Sequence, residues 1–269
     1  MKRVGVPEFE DFTWFPGWLR ACMTQNIVIM ARLLGVGHAL TRLISPVLKD
    51  LGIDRVVDLG SGAGGVMPDI VPDLNAQTGH PVRLTLSDKF PNPDALEAFN
   101  GLDSDEVRYS EVPVDATDLT TAPEGLKTMV NCFHHFEPPA ARAILASAAE
   151  RRQPLLVYEM GGHQTTPFAL WCLTLPIGLT MVFLLAFLKS ALVRPIRFNQ
   201  IFFTYVIPLV PLFYAWDGQA SMPRIYRLED LDELTFGLET PGYSWQKGYG
   251  ESSRGGRLGT YLLGLPTDV

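Results

Sequence analysis

The sequence has few cysteines, no excess of basic residues and, over one long stretch, almost no charge. Its three cysteines, Cys22, Cys132 and Cys172, are widely spaced among 269 residues. This spacing indicates neither a disulfide framework nor a zinc site, and it fits a reducing cytoplasm. The net charge of -7 excludes the dense cationic surface that nucleic acids require. We therefore expect no nucleic-acid partner and no metal.

The first twelve residues, MKRVGVPEFEDF, also lack a feature of exported proteins. Two basic residues are followed by acidic ones, where a signal peptide would have its apolar core. This pattern predicts that the chain carries no secretion signal.

The remaining pattern alternates strands with helices. An apolar stripe over 16–49 predicts helix with a break at Gly35 and Gly37. Short apolar runs predict five buried strands, followed by two more in YSWQKGYG and GTYLLGL. Such alternation is typical of an α/β fold with a doubly wound parallel sheet. The five runs are 55–60, 82–88, 107–115, 126–133 and 154–160.

The stretch VVDLGSGAGGVMPDIV combines a strand, a glycine-rich turn and a helix. Such a turn brings backbone N–H groups and a positive helix end to the carboxyl edge of the sheet, where a nucleotide-like ligand can bind. Gly60, Gly62 and Gly65 satisfy G-x-G-x-x-G, so a nicotinamide or flavin site fits as well as another nucleoside site. A tight turn without any ligand is the alternative.

Three carboxylates narrow the choice of cofactor. Asp58 lies two residues before the first glycine, where its charge disfavours a pyrophosphate and favours a cationic cofactor. Asp88 ends the second strand and suits ribose hydroxyls, and Asp115 ends the third and suits an adenine amino group. Each alone could simply cap the next helix.

With these residues in place, the chain resembles the class I S-adenosylmethionine-dependent methyltransferases over about 50–160. The resemblance rests on VVDLGSGAGG, LSDKFPN, VPVDATDL and MVNCFHHF. It implies S-adenosyl-L-methionine as cofactor and a Rossmann-like, seven-stranded sheet whose last two strands form an antiparallel hairpin. FTYVIPLVPL and WDGQASMPRIYRLEDL resemble a bacterial subgroup with a late apolar insertion. The implied cofactor-binding residues are Asp58, Gly60, Ser61, Gly62, Gly64, Asp88, Lys89, Asp115, Ala116, Asn131 and Phe133.

Candidate catalytic residues follow the fourth and fifth strands. His134 and His135 lie at the carboxyl edge, and either could take a proton from an acceptor or orient it. Because adjacent residues point apart, we expect at most one of them to face the site. The other would pack or cap a helix. Glu159 is a second candidate base, with a loop-ordering role as its alternative.

The apolar stretch is a predicted insertion. Residues 167–188 are uncharged and long enough to cross a bilayer, and 198–216 form a second uncharged run. The turn between them carries Lys189, Arg194 and Arg197, which a transmembrane hairpin would deliver to the outer side, against the positive-inside tendency. We therefore expect a monotopic or peripheral association with the cytoplasmic face of a membrane. A transmembrane hairpin and a buried or oligomeric contact are the alternatives.

The predicted organisation has four parts: a helical cap (1–50), the cofactor core (51–163), the membrane-associated insertion (164–216) and the end of the core (217–269). Acceptor-contacting residues are expected in the cap and just after the insertion: Trp14, Trp18, Asp217, Arg224 and Tyr226. A salt bridge that fixes the insertion is the alternative role for the last three.

The predicted function is methyl transfer to an oxygen, sulfur or nitrogen of a hydrophobic small molecule or lipid. Alternatives are a phospholipid amine N-methyltransferase, a nicotinamide-dependent oxidoreductase and a non-catalytic S-adenosylmethionine-binding module at the membrane. The sequence does not predict the oligomeric state.

Overall fold

Seven strands form a single sheet in the computed structural model, which describes residues 1, 3–102, 104–161 and 167–267. The strands are β1 (Arg55–Leu59), β2 (Arg83–Ser87), β3 (Val107–Tyr109), β4 (Leu126–Val130), β5 (Leu155–Glu159), β6 (Tyr243–Glu251) and β7 (Arg257–Pro266). Their order is β3-β2-β1-β4-β5-β7-β6. The first five strands are parallel, and β7 is antiparallel to both β5 and β6. The predicted fold class, including the antiparallel last hairpin, is confirmed.

Nine α-helices lie in the described ranges. They are α1 (Gly17–Leu34), α2 (Val36–Leu51), α3 (Met67–Thr78), α4 (Pro93–Asn100), α5 (Pro138–Glu150), α6 (Phe168–Lys189), α7 (Phe198–Ile201), α8 (Leu209–Ala220) and α9 (Leu228–Thr235). Short 3-10 turns cover Phe9–Asp11, Phe133–His135 and Ser190–Leu192, and a π-helical turn covers Phe202–Val206.

Both faces of the sheet are covered, which explains why its central strands are almost continuously apolar. Successive strand residues point to opposite faces, so Val56 packs with α2 and α3 while Val57 packs with α5 and α9. The predicted cap at 1–50 is therefore divided in the structure. Its second helix, α2, packs on one face of the sheet, whereas its first helix, α1, does not.

Gly35 separates these two roles. It adopts a left-handed conformation (φ 76°) and donates its N–H to the carbonyls of Ala31 and Arg32, which ends α1. The chain bends by 81° between α1 and α2. As a result, α1 packs against α6 and α8 in a separate apolar cluster that includes Phe15, Met23 and Val210.

The insertion forms a helical layer beside α1. By length and composition, Phe168–Leu192 is the one helical stretch of the described chain that could cross a membrane by itself. Two bent pairs would add to this if each counted as one span: α1 with α2, and Phe198–Val206 with α8. The second pair bends by 82°, so the second uncharged run does not form one straight helix that could lead the chain back across a membrane. The predicted start of the insertion, at 164, lies outside the described residues.

Lys189, one of the three basic residues of this turn, is not available to lipid headgroups. It is only 3% exposed, and its ammonium donates to the carbonyl of Asn26 and to the Tyr214 hydroxyl, both at 2.7 Å. Arg194 and Arg197 are exposed. Lys189 thus ties α6 to α1 and α8, because a buried ammonium needs such partners.

Candidate functional site

The glycine loop after β1 requires glycine at several positions. Gly60, Gly62, Gly64 and Gly65 all have positive φ. At Gly64 (φ 111°) a Cβ would lie 2.6 Å from the ring of Phe99. The loop therefore keeps bare backbone at the carboxyl edge of the sheet, where a ligand can approach closely.

Asp58, at the end of β1, is a buried carboxyl under this loop. It accepts hydrogen bonds from the hydroxyls of Ser61 and Thr128, both at 2.7 Å. Burial raises the pKa of Asp58 to about 7, although these two hydrogen bonds oppose the shift. Asp58 and Ser61 therefore order the loop from beneath, as residues of a cofactor site would.

Asp88 joins the end of β2 to the same loop. Its carboxylate accepts from the N–H groups of Gly62 at 3.0 Å and of Phe90 at 2.8 Å. The Tyr109 hydroxyl donates to the Gly62 carbonyl at 2.9 Å. The structure thus brings the predicted ribose contact next to the predicted glycine loop.

Asp115 and Lys89 form an ion pair at 2.7 Å farther along this edge. Hydrogen bonds from Lys89 and Thr117 lower the pKa of Asp115 to about 2. Ala116 beside it is buried. Lys89 and Asp115 therefore hold each other at the position predicted for the adenine, and their contact with a cofactor stays a prediction.

Asn131 and Phe133, predicted to face the methyl donor, occupy different environments. Asn131 has a φ of 55°, and its side-chain oxygen accepts from the Met160 N–H at 2.7 Å, joining the ends of β4 and β5. It lines a cavity at this edge. Phe133 is 1% exposed and packs against Tyr226 in the core, so its described contacts give no support to a cofactor role.

The cavity has a volume of about 280 Å³ and lies between α1, α6, α8 and the ends of β4 and β5. One part of its wall is apolar and the other is lined by carboxylates and histidines. The apolar part is formed chiefly by Met23, Ile27, Met30, Leu34, Val182, Leu185, Met222 and Ile225. A molecule with an apolar body and one polar group would match both parts.

His134 is held at the polar end by Glu159. One carboxylate oxygen of Glu159 accepts from the His134 backbone N–H at 2.9 Å, and the other is 2.8 Å from Nδ1. Nε2 of His134 is 3.6 Å from Glu8 Oε1. Burial is the largest single influence and disfavours the imidazolium, but Glu159, through its charge and hydrogen bond, and Glu8 together outweigh it and raise the pKa of His134 to about 10. Glu159 therefore positions His134.

His135 lines the same cavity, so the expectation that only one histidine faces the site is wrong. Both residues lie in the 3-10 turn Phe133–His135, which turns the two rings to one side with their centroids 4.3 Å apart. His135 Nδ1 is 2.8 Å from Asp11 Oδ1, and Nε2 is 3.9 Å from Glu8 Oε2. An extended strand, where neighbours do point apart, ends at Val130.

Sequence reasoning missed the N-terminal acids Glu8, Glu10 and Asp11. Only the fold brings them close to the histidines. In the sequence, the motif EFED indicates only that the apolar core of a signal peptide is missing. Burial and the charges of Asp217 and Glu8 raise the pKa of Glu10 to about 8. Its Oε1 is buried without a hydrogen-bond partner in the described chain. The available signal in the sequence is that these three acidic residues lie within four positions of one another.

Asp217 lines the cavity, as predicted for an acceptor contact. Its carboxylate accepts from the N–H groups of Phe9 at 2.8 Å and Glu10 at 3.2 Å, so it also anchors the N-terminal segment. Burial raises the pKa of Asp217 to about 7.

The other four predicted acceptor contacts are not among the residues that line the described cavity. Trp14 is 63% exposed, and Trp18 packs on Phe203. Arg224 pairs with Glu8 at 2.9 Å and Asp11 at 2.6 Å, so it forms salt bridges with the N-terminal segment and not with the predicted insertion. Tyr226 is likewise buried and donates to the Phe136 carbonyl.

No protein-family model matches the chain, and no curated protein matches it. Solved structures are similar to it at low identity. One is the O-methyltransferase NcsB1 from neocarzinostatin biosynthesis, in complex with S-adenosyl-L-homocysteine and 1,4-dihydroxy-2-naphthoic acid: 16% identity, 88% of this chain, 55% of that chain and a TM-score of 0.49. Another is the methyltransferase domain of bacterial CtHen1, with 13% identity over 86% of this chain and 99% of that chain and a TM-score of 0.48.

The mitomycin 7-O-methyltransferase MmcR is also similar, with 15% identity, 86% of this chain, 53% of that chain and a TM-score of 0.45. The chain spans about half the length of NcsB1 and of MmcR. At these values the likeness is general, and the chemistry of this chain follows from its own side chains.

Proposed function

We propose that this chain is an S-adenosylmethionine-dependent methyltransferase whose acceptor is a hydrophobic small molecule or lipid. The acceptor's oxygen, sulfur or nitrogen would attack the cofactor's methyl carbon. The carbon–sulfur bond would break, its electron pair would pass to sulfur to give S-adenosylhomocysteine, and the acceptor would lose its proton toward the polar end of the cavity. Positioning and exclusion of water supply most of such catalysis.

One observation carries the proposal: the glycine loop and the amphipathic cavity meet at one edge of the sheet. β1, which leads into the loop, pairs directly with β4, and Asn131 at the end of β4 lines the cavity. Gly60, after β1, lies close to Cys132, after β4: a Cβ on Gly60 would be 3.2 Å from Cys132 Sγ. A cofactor bound at the loop would therefore reach the cavity with its reactive end.

The cavity's composition supports the acceptor class. Its walls from α1 and α6 are apolar, whereas His134, His135 and Glu159 line its polar end, where we propose that the transferred methyl arrives. These three residues are the proposed catalytic group, with Glu159 acting through His134. The neighbouring carboxyls of Glu10 and Asp217 also suit a cationic headgroup, so a phospholipid amine acceptor stays a narrower candidate.

The insertion supports association with the cytoplasmic face of a membrane. Large apolar side chains of α6 such as Leu173, Ile177 and Met181 are 65–75% exposed. Contiguous apolar surface of this kind marks an interaction site. The 82° bend in the second run favours helices lying at the interface over a two-helix crossing.

Ligand binding tests the cofactor part. S-adenosylhomocysteine should raise the melting temperature of the purified chain, because a ligand that binds only the folded state adds about 2.7 kcal/mol at 100 times its Kd. NAD⁺ at the same concentration should leave it unchanged. Stabilisation by NAD⁺ alone would favour the oxidoreductase, and stabilisation by neither would refute the proposal.

A further inference from the structure

The structure assigns a divalent transition-metal site to Glu8, His134 and His135. Each offers a donor atom at the polar end of the cavity, and the three donors lie within 4.8 Å of one another. Two imidazoles and one carboxylate are a donor set that binds ions such as Zn²⁺ and leaves coordination positions open. Glu8 is far from His134 and His135 in the sequence, so no metal-binding spacing reveals this set.

The orientation of both imidazoles supports this assignment. His134 Nδ1 faces Glu159 at 2.8 Å, and His135 Nδ1 faces Asp11 at 2.8 Å. A carboxylate on Nδ1 orients each ring and keeps a proton on Nδ1, which is the arrangement found behind metal-binding histidines. An ion bound at Nε2 would take the place of any proton held there. Both Nε2 atoms point toward Glu8, so two independently oriented rings converge on one carboxylate.

The distances fit an ion. His134 Nε2 is 3.6 Å from Glu8 Oε1, and His135 Nε2 is 3.9 Å from Glu8 Oε2. These separations are too long for direct hydrogen bonds. Donor atoms bound at about 2.1 Å around a tetrahedral ion lie about 3.4 Å apart, so small side-chain rotations would bring the three donors onto one ion.

The surrounding charge also favours a cation. Five carboxyl groups gather around the two rings, and Arg224 pairs with two of them, Glu8 and Asp11. Arg224 holds Glu8 Oε1 at 2.9 Å and leaves Oε2 directed at His135. A divalent ion would offset the remaining negative charge in a site that is largely closed to water. The five carboxyl groups around the rings are those of Glu8, Glu10, Asp11, Glu159 and Asp217.

An ion here would have its open positions toward the cavity, because both histidines and Glu8 line it. It could bind a hydroxyl or thiol of the acceptor and favour its deprotonated form. This second step rests on the proposed function, whereas metal binding itself does not. Imidazole donors favour Zn²⁺ over Mg²⁺.

The test uses the full chain without an affinity tag, stripped with a chelator and dialysed against Zn²⁺, with bound metal measured by mass spectrometry. One equivalent should remain bound, and Mg²⁺ should not displace it. His135→Gln and Glu8→Gln should lower Zn²⁺ affinity at least about 10-fold, and Glu159→Gln about 10-fold to 100-fold. His38→Gln and Glu97→Gln, which change exposed residues elsewhere, should bind as the unchanged chain does.

Co²⁺ provides a readout that needs no variant. The unchanged chain should give the visible absorption of a four- or five-coordinate Co²⁺ site with nitrogen donors. No retained Zn²⁺ and no such spectrum would overturn the assignment, as would Zn²⁺ affinity equal in His135→Gln and His38→Gln. Stabilisation by S-adenosylhomocysteine is measured separately in chelator, so loss of the metal site and loss of the proposed function give different results.

Discussion

At the scale of single residues, we expect Asp58 to couple cofactor binding to proton binding. In the folded chain its pKa is about 7, because burial disfavours the carboxylate. A cationic sulfonium or ammonium group nearby would favour that carboxylate again. The buried carboxylate of Asp58 therefore destabilises the fold at neutral pH when the site is empty, and it would stabilise the fold when a cationic ligand is bound.

The sign of this effect gives a prediction for Asp58→Asn. Between its usual pKa of about 3.9 and about 7, the folded chain holds a proton that the unfolded chain has released. The free energy of unfolding of the unchanged chain should therefore fall across this window, and that of Asp58→Asn should gain about 1–4 kcal/mol relative to it. Urea denaturation at pH 4.5 and 8 measures this. Parallel pH profiles would contradict it.

A matched pair of substitutions tests the glycine loop. Gly64→Ala meets the Phe99 ring at a φ of 111°, and we expect it to lower the free energy of unfolding by about 1–3 kcal/mol. Gly62→Ala, with a φ of 52° and nothing within 4 Å of the added Cβ, should cost less, about 1 kcal/mol. Chemical denaturation of both variants gives the comparison. Equal costs would mean that Phe99 moves aside freely.

The residues that sequence analysis could predict are those tied to one strand end. Asp58 lies near the end of its strand, and Asp88 and the glycines follow theirs. The apolar pattern of these strands is visible in the sequence, so the edge that the residues share follows from a parallel sheet. Glu8 and Asp11 lie in the N-terminal segment, and Asp11 is 124 residues before its partner His135 in the sequence. No local pattern connects them with His134 and His135.

At the scale of elements, helices and strands were predicted where periodicity and glycine breaks agree. The break at Gly35 and the last hairpin are confirmed. β3 is shorter than predicted, ending at Tyr109, because the chain leaves the sheet at Ser110 and turns toward Asp115. The bend after Phe202–Val206 follows from Pro208, which lacks an N–H to continue a helix.

The exposed stripe of α6 predicts binding to lipid vesicles. Leu173, Ile177 and Met181 lie four residues apart on one helix face and are mostly exposed. Replacing all three with Gln should reduce partition into anionic vesicles more than about 10-fold, since each buried side chain contributes about 1.5–3 kcal/mol. Flotation of the chain with vesicles measures the partition.

Phe236→Gln is the control, because Phe236 is 77% exposed outside the insertion. It should float as the unchanged chain does. Unchanged flotation of the triple variant would contradict membrane docking by α6. A shift from dimer to monomer without any change in flotation would identify this face as an oligomer contact.

At the scale of the whole molecule, two layers enclose the site from different directions. The sheet carries the glycine loop and the histidine turn on its carboxyl edge, and α1, α6 and α8 cover that edge with apolar side chains. The N-terminal segment closes the polar end through Asp217 and Arg224. If this helical layer docks on a membrane as proposed, a lipophilic acceptor could pass from it to the cofactor.

Transfer of a labelled methyl group tests the central claim most directly. Purified chain is incubated with methyl-labelled S-adenosylmethionine and a cellular lipid extract, and label in the organic phase is compared with that from Asp58→Ala. We predict an organic-soluble labelled product whose yield falls at least about 10-fold in the variant, because Asp58 orders the cofactor loop through Ser61. Equal organic-phase label with the unchanged chain, the variant and no protein, despite binding of S-adenosylhomocysteine, would contradict the account.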